Sequence, residues 1–147
     1  MPDHLHNLLE KIHSGIPLSQ SMGFEIDELT ANSIRVLAPL APNVNVHGTG
    51  FAGSIYSVAV LTGWALCTHI MSLRGMQGDL VVAKAEIKYR APVTGNIVCL
   101  SEASESDCLA FQTDFESEGK GRLELSVEVG DKPEAVLLGT YFAVSKG

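Results

Sequence analysis

Apolar and polar positions alternate along several stretches of the chain, while one long stretch is apolar almost throughout. Ile34, Val36, Ala38 and Leu40 fall on one side of a period-2 run, with Arg35 on the other. In a second run Val81, Ala83, Ala85, Ile87 and Tyr89 oppose Lys84, Glu86, Lys88 and Arg90, and in a third Leu123, Leu125, Val127 and Val129 oppose Arg122, Glu124, Ser126 and Glu128. This period predicts strands with one packed and one wet face. Residues 24–29, 97–103 and 135–144 bring the expected number to about six, with turns at Thr94-Gly95-Asn96 and Gly130-Asp131-Lys132-Pro133.

Helical spacing appears in three places. In residues 4–13, Leu5, Leu8, Leu9 and Ile12 form one stripe. In residues 107–118, Cys108, Phe111 and Phe115 are spaced for a helix that Gly119 would stop, yet Phe111, Thr113 and Phe115 also alternate. Helix is preferred there and strand stays open. Residues 51–71 hold 21 positions without a formal charge, near the length of a membrane span. Ser54, Ser57, Thr62, Thr68 and His69 interrupt that run, Gly63 lies mid-segment, and no basic cluster flanks it. A soluble helix, apolar on every side and enclosed by protein, is favoured over a membrane segment. The expected fold class is α+β, a curved antiparallel sheet of about six strands wrapped around one long helix. One layer of strands covers only part of such a helix, so a second subunit is expected to cover the rest.

Composition sharpens this picture. The length of 147 residues fits a single domain, 1–147. Charged residues are only 18% and hydrophobic ones 46%, a balance that favours burial against another copy. A net charge of −7 argues against nucleic acid and anionic lipid as partners. Cys67, Cys99 and Cys108 are odd in number and widely spaced, which supports neither a disulfide framework nor a metal site. The first 15 residues lack the apolar core of a signal peptide, so a reducing cytoplasm is the expected compartment.

The segment Asn45-Val46-His47-Gly48-Thr49-Gly50-Phe51-Ala52-Gly53-Ser54-Ile55-Tyr56-Ser57 resembles the loop-to-helix motif of hot-dog thioesterases of the PaaI-like group. Ile87-Lys88-Tyr89-Arg90-Ala91-Pro92-Val93-Thr94-Gly95 resembles the strand and turn that follow the helix in the same families, and the closer likeness is to the YiiD-C type of thioesterase domain. The resemblance implies a hot-dog fold, an acyl-CoA or acyl-carrier-protein thioester as substrate, no cofactor, and a homodimer or dimer of dimers.

Thioester hydrolysis develops negative charge on the carbonyl oxygen, so donors already aimed there matter most. Gly53 and Ser54 open the expected helix, where backbone N–H groups are unpaired and the helix dipole is positive; the bland alternative is a glycine that merely permits a tight turn. By the resemblance, Asn45 lies beside the thioester or the attacking water, though loop asparagines commonly just order their own turn. His47 is of the residue type most used for proton transfer but sits off the motif's histidine position, where Phe51 stands instead. Val60 occupies the position of those enzymes' catalytic aspartate, and no carboxylate occurs from 51 to 71. The attacking water would then be oriented by neutral groups such as Asn45, Ser54 or Ser57, or by a partner subunit. Thr49, Phe51 and Tyr56 are candidate substrate contacts, Tyr56 and Trp64 equally being core or dimer contacts. Lys84, Lys88 and Arg90, with Arg74 upstream, could anchor phosphates, although a solvated strand face explains them as well. His69 is expected to pack or to favour the negative end of the helix. An acyl-CoA-binding module that has lost its base is the alternative to an enzyme. A hot-dog dehydratase or hydratase fits less well, since only His47 with a distant carboxylate could supply its acid/base pair.

Overall fold

The computed structural model describes residues 2–146. Helix α1 (Pro2–Gly15) and a short α2 (Pro17–Ser21) lead into β1 (Glu25–Leu29) and β2 (Ser33–Ala38). A 3₁₀ turn at Ala41–Asn43 precedes the long α3 (Ala52–Leu73), followed by β3 (Gly78–Tyr89), β4 (Ile97–Glu102), α4 (Glu105–Glu118), β5 (Lys120–Val129) and β6 (Ala135–Ser145). The six strands form one antiparallel sheet in the order β1-β2-β4-β5-β6-β3. The sheet curves around α3, which makes this a hot-dog fold.

Helix α3 is long and apolar enough to cross a membrane by length and composition, but 67% of its most apolar window is buried inside the domain. Val58, Ala59, Thr62, Ala65, Leu66 and Ile70 are enclosed by the inner sheet face. Thr62 disposes of its hydroxyl by donating to the Val58 carbonyl at 2.7 Å. Gly63 lets the sheet approach: Tyr141 of β6, fully buried, passes so close that a Cβ there would collide with its hydroxyl. That hydroxyl donates to the Val60 carbonyl at 2.8 Å.

The stretch at 107–118 is a helix. Ser104 caps it by accepting the Asp107 N–H at 3.1 Å, Glu105 and Asp107 favour the positive end, and Gly119 closes it at φ 75°. These end signals override the alternation of Phe111, Thr113 and Phe115, and Cys108, Phe111 and Phe115 bury one stripe against β5 and β6. Ser104→Ala is expected to cost about 1 kcal/mol, read as a lower urea midpoint at unchanged slope.

One strand pattern needs correction. The β3–β6 register shifts between Val82 and Lys84, so Ala83 forms a bulge. Val81 pairs with Phe142 and turns outward, whereas Leu80 and Val82 join Ala85, Ile87 and Tyr89 on the inner face, opposite Ala143, Tyr141, Gly139, Leu137 and Ala135. Simple alternation placed Val81 and Ala83 on that inner face. Leu40 likewise lies beyond β2, at the start of the 3₁₀ turn.

His69 packs; it does not serve as a cation at the end of α3. It is buried, its ring 5.8 Å from that of His4, and burial, followed by His4, pushes its pKa below 6.5. The neutral ring therefore adds stability above pH 6.5 that disappears as pH falls through the lowered value. Wild type is expected to lose more stability than His69→Gln between pH 7 and pH 5, measured by chemical unfolding at each pH.

Candidate active site

The start of α3 has no side-chain cap. Its first helical bond runs from the Ile55 N–H to the Phe51 carbonyl at 2.9 Å, and the N–H groups of Ala52, Gly53 and Ser54 have no acceptor among the described residues. Three donors and the positive helix pole thus coincide at a partly exposed point. The Phe51 ring, 53% exposed, lies against Gly53: a Cβ there would stand 2.6 Å from the ring edge. Both neighbouring hydroxyls, on Ser54 and Ser57, are half-buried and have no hydrogen-bond partner among the described residues.

The loop before the helix is organised by two asparagines. Asn45 Oδ1 accepts the His47 N–H at 2.9 Å and the Thr49 N–H at 3.1 Å, while its Nδ2 donates to Thr49 Oγ1 at 2.9 Å and the Gly50 carbonyl at 3.3 Å. Its amide is thus engaged by its own loop, as is Thr49. His47 is exposed and held through its backbone. Asn43, which no motif or spacing singles out, is buried: Nδ2 donates to the Met22 and Pro39 carbonyls, and its backbone carbonyl accepts the Phe51 N–H at 2.7 Å. The loop is therefore fixed from the ends of α2 and β2 to the helix tip.

Tyr89 is the second residue missed. From the end of β3 its hydroxyl donates to the Ala52 carbonyl at 2.9 Å, with Tyr56 near enough to raise its pKa beyond the effect of burial. Its inward place in an alternating strand was readable; its contact, 37 residues away in sequence, was not.

Val60, Trp64 and Thr68 continue the open stripe of α3 from Gly53 and Ser57. Trp64 Nε1 donates to the Leu80 carbonyl at 3.2 Å beside a cleft of about 560 Å³, which Trp64, Met76 and Leu80 line. Lys84 and Lys88 pair with Thr140 and Val136 and point outward, on the face of β3 opposite to Tyr89 and the helix tip. One chain does not bring them to the tip. Arg90 follows the strand, its N–H bonded to the Glu134 carbonyl, and Arg74 is tied to Glu105 at 2.7 Å and Gln112 at 2.9 Å. A cleft of about 490 Å³ on the outer sheet face carries Glu28, Glu102 and Glu128, and its one lining cation, Arg35, is paired with Asp27, so the excess negative charge would repel an anionic ligand. All three cysteines are free and buried, and burial pushes the Cys99 thiol up to about 12, which keeps it from acting as a thiolate. Among the described residues no cluster of three His, Cys, Asp or Glu could hold a metal ion.

Residues 5–145 match the family described as "Putative thioesterase (yiiD_Cterm)". The chain belongs to this family. A solved structure described as a "putative thioesterase" from Shewanella oneidensis is 34% identical, with a TM-score of 0.85 over 98% of this chain and 99% of that one. A protein of unknown function from Chlorobaculum tepidum gives a TM-score of 0.92 at 29% identity, covering 96% of this chain and 94% of its own. The Escherichia coli PaaI protein of the phenylacetic acid degradation operon, at 12% identity, TM-score 0.65 and 96% coverage of both chains, shares the fold. Family and neighbours support thioesterase activity in general terms.

Proposed function

We propose that this protein hydrolyses an acyl-CoA or acyl-carrier-protein thioester in the cytoplasm, with the oxyanion held by the N–H groups of Gly53 and Ser54. The carrying observation is the uncapped tip of α3, where three unpaired donors meet the helix dipole beside a glycine. Without a carboxylate on α3, the water is oriented by the free hydroxyls of Ser54 or Ser57. General-base help is worth about 10²–10⁴-fold, so turnover slow by that factor is expected.

The working unit we propose is a homodimer, alone or paired into a dimer of dimers. The free edge of β3 runs 12 residues, and its inward Val82 stays 43% exposed. Tyr89 marks the end of β3 nearest the helix tip, and Leu80 the end nearest the Trp64 cleft. Antiparallel pairing of two such edges about a twofold axis would set the tip of one copy beside the cleft of the other.

A second reading, an acyl-CoA-binding module without turnover, is favoured by Val60 on the open stripe where a base would stand. Purified protein incubated with a panel of acyl-CoAs, with free thiol monitored, separates the two. Release above the buffer rate supports hydrolysis; tight binding without release selects the module.

A further inference from the structure

We propose that Tyr89 is a positioning residue: it aims and strengthens the Gly53 N–H donor through the peptide bond that Gly53 shares with Ala52. The role of that donor rests on the hydrolase reading above. The Ala52 carbonyl and the Gly53 N–H belong to one amide, which is planar and has its C=O and N–H pointing in opposite directions. The Tyr89 hydroxyl donates to that carbonyl at 2.9 Å, so fixing the oxygen fixes the direction of the N–H on the other side.

The same bond acts electronically. A donor on the carbonyl oxygen polarises the amide and leaves its N–H more positive, a cooperative gain of about 10–30% per bond. The chain of contacts runs from the Tyr89 hydroxyl to the Ala52 carbonyl and from the Gly53 N–H to the acyl oxygen. Its anchor is the sheet, since Tyr89 pairs with Ala135 of β6 at the end of β3. The Phe51 ring lies against Gly53. Burial and the neighbouring Tyr56 push the Tyr89 phenol up from its ordinary value, so it remains a donor at neutral pH. None of this requires Tyr89 to touch substrate.

Tyr89→Phe keeps the ring and removes only the hydroxyl. Losing an oxyanion donor outright costs about 10²–10³-fold in kcat, and losing its alignment is expected to cost about tenfold, with KM within about twofold and the melting temperature nearly unchanged. A stable ketone analogue of an acyl-CoA, labelled with ¹³C at the carbonyl, gives a readout free of turnover. Its infrared stretch should shift to lower frequency on binding wild type, and by less on binding Tyr89→Phe. An unchanged stretch in the variant overturns the proposal, whether kcat holds or falls together with thermal stability. If wild type turns over no thioester but the two stretches differ, the hydrolase reading fails and the positioning role stands. If the analogue does not bind wild type, both fall.

Discussion

Gly53→Pro is expected to lower kcat by about 10²–10³-fold while the domain stays folded. Proline in the first turn of a helix removes an N–H that has no helical partner in any case, so the helix survives while one proposed oxyanion donor is lost. The substitution also introduces a Cβ where the Phe51 ring lies, and Gly53→Ala controls for it, because it adds the same atom but keeps the N–H. Phe51 is half exposed and can swing aside. Steady-state kinetics should therefore place Gly53→Ala near wild type and Gly53→Pro far below it. Equal losses would mean that space around Phe51 matters and the donor does not.

The largest expected effect on stability comes from Gly63→Ala. In most helices alanine would stabilise by about 1 kcal/mol over glycine. Here the new Cβ would overlap the Tyr141 hydroxyl and stand 2.6 Å from the ring carbon that bears it, at a point where the Tyr141 side chain is fully buried. Overpacking typically costs about 1–3 kcal/mol, enough to reverse the sign of the helix preference. Tyr141→Phe removes the nearest atom but leaves the ring, so it should relieve the clash only in part. A double-mutant cycle by urea unfolding should show coupling between the two sites. An alanine variant as stable as wild type would contradict the close approach of β6 to α3.

Much of this architecture was readable from one sequence because the two hydrophobic periods are distinct. The uncharged segment that became α3 and the alternating runs that became the strands each carry their own signal. The bulge at Ala83 was hidden because small apolar residues fill Val81, Val82, Ala83 and Ala85, so alternation continues on paper through a register shift. The ambiguity at 107–118 was decided by Ser104 and Gly119, residues that act on helix ends and not through periodicity. Short α2 carries too few residues to show a period.

The candidate site was readable to a lesser degree. The open donors at Gly53 and Ser54 follow from where a helix begins, which the motif marks. The roles of Asn43 and Tyr89 follow from contacts to Met22 and Ala52, and no spacing within the chain encodes those. Lys84 and Lys88 looked suited to phosphate because charge type is visible in sequence, whereas the face of the sheet relative to the helix tip is not.

Where an acyl carbonyl binds decides whether the tip of α3 is an oxyanion site. A crystal structure of the full chain with a non-hydrolysable acyl-CoA analogue measures that directly. The expected result is a carbonyl oxygen about 3 Å from the amide nitrogens of Gly53 and Ser54, with Tyr89 still bonded to Ala52. A carbonyl seated elsewhere, with those two amides facing only solvent, would contradict it.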